Sequence, residues 1–205
     1  MEASPGLLVV WNGMDAEDEA EFNAWYEEEH LAERLSVPGF RTAARYRNLE
    51  GASRYAALYE TDSVEVLSSE AYLARLANPT ARTRAIMPRF REVSRAACSI
   101  RFDTRPGTLP APFLAIVTLR PGAAPPCWPP AFVPELRWRI AEPDPLVTGG
   151  TTPEQALRPA ADRLPTTLLI VESDDAAMLS PAADWVGPAA DGVQRFALIS
   201  SRQGV

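Results

Sequence analysis

The chain contains one histidine, His30, inside the run Phe22-Asn-Ala-Trp-Tyr-Glu-Glu-Glu-His30-Leu. Imidazole is the only side chain whose unperturbed pKa lies near neutrality, so this position is the natural place for proton transfer at neutral pH. Mechanisms that need several histidines are nearly excluded. Tyr26 precedes His30 by one helical turn, which places both on one helix face. A phenol there could donate a hydrogen bond to a substrate oxygen; core packing is the competing account. For His30 the competing account is a histidine near a helix C-terminus, capping carbonyls, where the helix dipole favours its cation.

Glu27, Glu28 and Glu29 precede the histidine and are expected to raise its pKa. Consecutive carboxylates point around a helix and cannot converge on one ion. With one histidine and no cysteine cluster, no metal is expected, zinc and non-haem iron included. Glu33 could orient the imidazole if the helix continues that far. Trp25 and Phe22 read as anchors of the helix to a sheet.

Further candidates come from strand-like segments. Trp11 and Asn12 close the first, Arg45 sits on the second and Tyr59 on the third. Arg45 and Arg47 share the strand face opposite Ala44 and Tyr46. If that face lines a cavity, Arg45 would bind a carboxylate or enolate; if it faces solvent, it has no such role. Cys127-Trp128, between prolines and with no histidine nearby in sequence, is no nucleophile. Gly149-Gly150 follows no clear strand, so a nucleotide loop is not expected.

The elements that must position these residues follow from periodicity. Residues 7–14 read as a strand, closed by Asn12-Gly13. Residues 15–36 read as a long helix with Asp15 as N-cap and Pro38-Gly39 as the stop. Residues 41–49 and 54–61 are strands around a turn, 64–77 a helix burying Val66, Leu67, Tyr72, Leu73 and Leu76, 82–90 a short helix and 95–103 a fourth strand. The order is β-α-β-β-α-β, the split-βαβ or ferredoxin-like plan. A second round follows, with strands at 113–119, 166–172 and 193–201, a further strand at 136–140 and a short helix at 153–161. Tyr59-Glu-Thr-Asp62 and Val171-Glu-Ser-Asp174 match, each followed by Leu-Ser at the same offset. Where the second copy should carry its first helix stands Pro121-Gly-Ala-Ala-Pro-Pro-Cys-Trp-Pro-Pro130, which cannot be helical.

Composition sets the class. The 205 residues, 46% hydrophobic and 23% charged, are those of a globular protein. The net charge of −7 and scattered arginines argue against nucleic acid and anionic membrane as partners. No long apolar run and no signal-like N-terminus are present, so a cytoplasmic location is expected, with Cys98 and Cys127 reduced.

A helix carrying Phe-x-x-Trp-Tyr-x-x-x-His30, then Pro38-Gly39-Phe40, then Arg45-Tyr46, resembles the dimeric α/β-barrel superfamily, and within it the EthD-like branch. The resemblance implies an α+β fold in which two ferredoxin-like units pack their antiparallel sheets into a barrel. Both units here would come from one chain, residues 1–108 and a degenerate 109–205, forming a monomeric pseudo-dimer or a homodimer. Superfamily members include lactone isomerases, polyketide cyclases, dehydrochlorinases, cofactor-free monooxygenases and haem-degrading enzymes. The leading expectation is a cofactor-independent lyase, isomerase or cyclase acting on a small carbonyl, lactone or polyketide-like compound. His30 would be its proton shuttle, Tyr26 or Tyr59 the donor to the oxyanion, and Arg45 the anchor for an anionic group. One alternative is a non-catalytic small-molecule or stress-associated barrel. Another is a haem-binding or oxygen-using protein with His30 as axial ligand, against which the acidic run before His30 argues.

Overall fold

The computed structural model describes residues 4–50, 54–123, 135–180 and 186–204. Its core is one closed barrel of eight strands: β1 (Gly6–Gly13), β2 (Phe40–Asn48), β3 (Arg54–Thr61), β4 (Arg91–Asp103), β5 (Phe113–Leu119), β6 (Arg137–Pro143), β7 (Leu168–Ser173) and β8 (Ala190–Gln203). Around the barrel the order is β1-β3-β2-β8-β5-β7-β6-β4. The first four strands run β4-β1-β3-β2 and the last four β8-β5-β7-β6, the same permutation. Closure comes from β2 pairing with β8 and β4 with β6, so no sheet edge is left unpaired. The result is an α+β antiparallel barrel.

Side chains alternate between the two faces of each strand. Leu7, Val9, Ala44, Tyr46, Leu58 and Ile170 fill the barrel interior. Leu8, Val10, Ala43, Tyr55, Ala57 and Tyr59 point outward, under the helices of the first half. A separate outer cluster built on Val117, Trp138 and Val171 covers the second half.

The helical layer covers the outer face of the first four strands. It consists of α1 (Glu19–Trp25), a π turn (Tyr26–His30) and α2 (Leu31–Leu35) in one continuous run, then α3 (Glu70–Ala77) and α4 (Ala81–Ile86). The first helix begins later than its acids suggest. The Asp15 carboxylate accepts from Arg91 at 2.7 Å, and residues 16–18 form a turn, leaving Asp18 at the N-cap without a side-chain cap bond. The segment expected as one helix over 64–77 is broken at Ser69. That residue is extended and caps α3 by accepting from the Tyr72 amide, so only the 3₁₀ turn Val64–Ser68 precedes it. The break turns Leu73 out to 45% exposure, not into the core.

Gly39 joins α2 to β2 at φ +90°, and a Cβ there would sit 2.7 Å from Val66 Cγ2. Between β6 and β7 the chain forms α5 (Pro145–Thr148) and a 3₁₀ turn, Gln155–Leu157, where a short helix was expected over 153–161. Of the proline-rich stretch, Pro121–Ala123 forms a turn; residues 124–130, with Cys127, lie outside the described residues.

Candidate functional site

The first helix presents its aromatic face to the sheet. Phe22 and Trp25 are fully buried, and burying each such side chain stabilises the packing by about 1.5–3 kcal/mol. In the π turn the Leu31 amide bonds to the Tyr26 carbonyl five residues back, which adds a residue to the turn. Tyr26, His30 and Arg34 all end up buried against the sheet. The His30 ring lies against Trp25, tilted by 36° with 4.1 Å between centroids, and meets the edge of Tyr26 at 5.0 Å. Trp25 Nε1 donates to Thr83 Oγ1, fixing the indole behind the imidazole.

His30 is 5% exposed. Burial, reinforced by the cations Arg34, Arg158 and Arg45, holds its pKa well below 6.5. The imidazole is therefore neutral at pH 7. This reverses the expectation drawn from the three glutamates. Their charges are engaged elsewhere: Glu27 pairs with Arg45, Glu28 with Arg82, and Glu29 accepts from Thr80. Glu33 Oε2 lies 3.7 Å from His30 Nδ1, beyond hydrogen-bond reach, and burial raises its own pKa.

A small cavity of about 20 Å³ opens beside the imidazole, between helix and sheet. That is room for about one water molecule. Leu8, Val10, Leu76, Met87 and Phe90 form its apolar wall, and His30, Tyr26, Tyr59, Tyr72, Arg34 and Arg95 its polar one. Burial raises the pKa of both Tyr26 and Tyr59, so each phenol is a proton-bearing donor. Among the described residues the Tyr59 hydroxyl has no hydrogen-bond partner.

The cavity is closed by a segment of the second half to which sequence reasoning assigned no role at the site. Glu154, Gln155 and Arg158, between α5 and β7, complete its lining. Both Glu154 carboxylate oxygens accept from Arg34, and the Glu154 amide donates to the Leu76 carbonyl at 3.1 Å. Arg34 also lies over the Tyr72 ring, 5.7 Å from its centroid. Gln155 and Arg158 line, on their other side, an open depression of about 490 Å³. One layer of chain thus separates the His30 cavity from solvent. No local pattern announces a pairing of Arg34 with a residue 120 positions away.

The remaining candidates fall elsewhere. Arg45 points outward from β2, 1% exposed, but its guanidinium is committed to Glu27 at 2.9 Å and Asn23 at 2.8 Å, and stacks on Tyr26 at 4.1 Å. It braces Tyr26 and does not line the cavity. Asn12 is buried on the outer face, where its side-chain amide donates to the Gly13 carbonyl. Trp11 packs against the barrel interior, across the sheet from His30.

The barrel interior holds a second polar cluster. Arg139 bridges Glu60 and Glu172, each at 2.8 Å, and Arg137 meets Asp103 at 2.7 Å. The matched positions Glu60 and Glu172 thereby share arginines, which ties β3 and β7 together through β6. Cys98 is buried in the same interior with its thiol pushed up to about 12, far from a reactive thiolate.

No family model matches the chain, and no curated protein is similar to it in sequence. Solved structures are similar in fold over its whole length. A protein of Fusobacterium nucleatum provisionally described as a monooxygenase superposes with a TM-score of 0.55 at 9% identity, over 100% of this chain and 98% of that one. An anthrone oxidase-like protein reaches 0.60 at 9% identity, over 99% and 94%. A haem-binding protein from Thermus thermophilus reaches 0.55 at 11% identity, over 96% and 92%. At these identities the likeness shows the fold alone: the closed eight-stranded barrel fits the dimeric α/β-barrel fold. Among the described residues no helix is long and apolar enough to cross a membrane.

Haem, which one of these proteins binds, does not fit the residues around His30. Trp25 occupies one face of the imidazole, and the paired Arg34 and Glu154 fill the space one turn further on.

Proposed function

We propose that the chain is an oxygen-using, monooxygenase-type enzyme that works without haem, on a small enolisable aromatic or polyketide-like carbonyl compound. The observation that carries this reading is a buried, neutral His30 lining the same cavity as the unpartnered Tyr59 hydroxyl. The fold likeness to monooxygenase and anthrone oxidase-like proteins supports oxygen chemistry over the lyase, isomerase or cyclase reading. Substrate enters when the segment around Gln155 and Arg158 moves aside and joins the cavity to the depression beyond it.

The chemistry needs a base, an oxyanion donor and a dry site. Neutral His30 takes the proton from the activated carbon. Tyr59, with Tyr26 beside it, donates to the oxygen on which the negative charge develops. The electron-rich carbon then reacts with O₂, and the net change is R₂CH₂ + O₂ → R₂C=O + H₂O. Carbon is oxidised, one oxygen atom enters the product, and the other leaves as water together with the two hydrogens lost by carbon. The same proton step without O₂ is the isomerase or cyclase reaction.

The repeated strand permutation supports two tandem ferredoxin-like units, 1–108 and 109–205, as the plan of the chain. The Trp25-Tyr26-x-x-x-His30 motif supports a place near the EthD-like branch. On this reading the chain is a pseudo-dimer with one site, built on the first unit and closed by the second.

Oxygen uptake by the purified protein with anthrone and related enolisable phenols tests the reading. His30→Gln is expected to lower kcat about 10²–10⁴-fold, and Tyr59→Phe to lower it by a smaller factor. Turnover without oxygen consumption would return the assignment to isomerase or cyclase. No turnover on any such compound would favour a binding protein, and a Soret band in the purified protein would favour haem.

A further inference from the structure

Arg95 stands out among the buried arginines. Arg34 is paired with Glu154, Arg45 with Glu27, and Arg137 and Arg139 with Glu60, Asp103 and Glu172. Arg95 is 5% exposed and, among the described residues, has no carboxylate within ion-pair distance. It projects from β4 opposite Val10, on the outer face where Tyr59 projects opposite Leu8. The chain of the second half seals this place: the Arg95 amide donates to the Arg163 carbonyl and the Arg163 amide to the Val93 carbonyl.

Among the described residues, four that line the His30 cavity each carry a buried polar atom with no hydrogen-bond partner: Arg95 Nη1, Arg34 Nη1, the Tyr59 hydroxyl and His30 Nδ1, the last of which lies 3.7 Å from Glu33 Oε2. Two of these are guanidinium donors and a third is a phenol, so the cavity is rich in donors and poor in acceptors. A buried charge with no counter-ion is costly. A water molecule would supply acceptors but no charge. A single anionic oxygen supplies both and matches the space.

We propose that the His30 cavity is an anion site that takes one anionic oxygen of a small organic ligand, a carboxylate or an enolate, with Arg95 as its counter-ion and Tyr59 as its neutral donor. This rests on the proposed function for the choice of cavity and names the charged form of the ligand that the site selects. Arg95 would thus be a binding residue contributed by the strand floor, while Arg34, already neutralised by Glu154, adds a donor without net charge.

The test uses the full chain and needs no turnover, so its outcome is separate from that of the oxygen assay. Thermal shift and calorimetry are measured with formate and with formamide, its uncharged counterpart. In a second arm, 4-nitrophenol is added below its solution pKa and the phenolate absorbance band is followed. Binding of formate, appearance of the phenolate band, or both, is expected, with no effect of formamide. The formate arm reports a carboxylate ligand and the phenolate arm an enolate-like one. Arg95→Met is expected to weaken either response at least tenfold while leaving the ligand-free protein no less stable than wild type. Tyr59→Phe, which keeps the charge, is expected to weaken it several-fold and serves if the Met variant does not fold. Equal responses to formate and formamide, no response in either arm, or undiminished binding by Arg95→Met would overturn the proposal, as would undiminished binding by Tyr59→Phe where that variant stands in.

Discussion

The neutral state of His30 makes a measurable prediction about stability. In the unfolded chain the imidazole titrates near 6.5, whereas in the fold its pKa lies well below that value. Below pH 6.5 the unfolded state therefore binds a proton that the native state refuses, and stability falls as pH falls through 6.5. Between pH 7.5 and pH 5.5 this single group favours unfolding by about 1.4 kcal/mol, provided its native pKa lies below that range. For a chain of 205 residues, unfolding entropy of about 2.1 cal/mol/K per residue converts this to a fall of about 3 °C in Tm. Because the chain has one histidine, His30→Gln removes the whole effect. The assay is thermal or urea denaturation of both proteins at the two pH values. Glu33, whose pKa is raised, contributes with the opposite sign as pH rises through 4.5, but it is present in both proteins and largely cancels in the comparison. If His30→Gln loses as much stability as wild type between pH 7.5 and 5.5, the imidazole is not held neutral and the argument for a buried base fails.

Two further perturbations probe the supports of the site. Glu154→Gln leaves Arg34 buried without its counter-charge and should cost about 3–5 kcal/mol in denaturant unfolding, most of it recovered by the double replacement Arg34→Met, Glu154→Leu; an effect near zero would mean that the second half does not seal the cavity. Gly39→Ala forces a side chain onto a positive φ and against Val66, and calorimetry should show a loss of about 1–3 kcal/mol.

Short runs of apolar, β-forming residues bounded by turn residues placed the strands of the first half to within a few residues, because a strand with one face in a barrel and the other under helices is buried on both faces and reads as a nearly continuous apolar run. Glu60 and Glu172, noticed only as matched positions, meet on shared arginines. Helix limits were less legible. Asp15 looked like a cap but is taken by Arg91, and Ser69 breaks a segment whose apolar spacing suggested one helix. The face of Arg45 was open in sequence and was settled by the pairing of β2 with its neighbours, which sends Tyr46 inward and Arg45 toward Glu27.

By itself the sequence determined that one residue, His30, can carry neutral-pH proton chemistry, and that a helix places it one turn from Tyr26. Only the tertiary structure decided the charge on that imidazole, since burial outweighs the nearby glutamates once Arg82, Arg45 and Thr80 have engaged them. The fold also brought Tyr59, Arg95 and Glu154 to the same cavity. Such contacts join residues far apart in the chain, and no local period or spacing encodes them; they exist because closing the barrel lays the second half across the helices of the first.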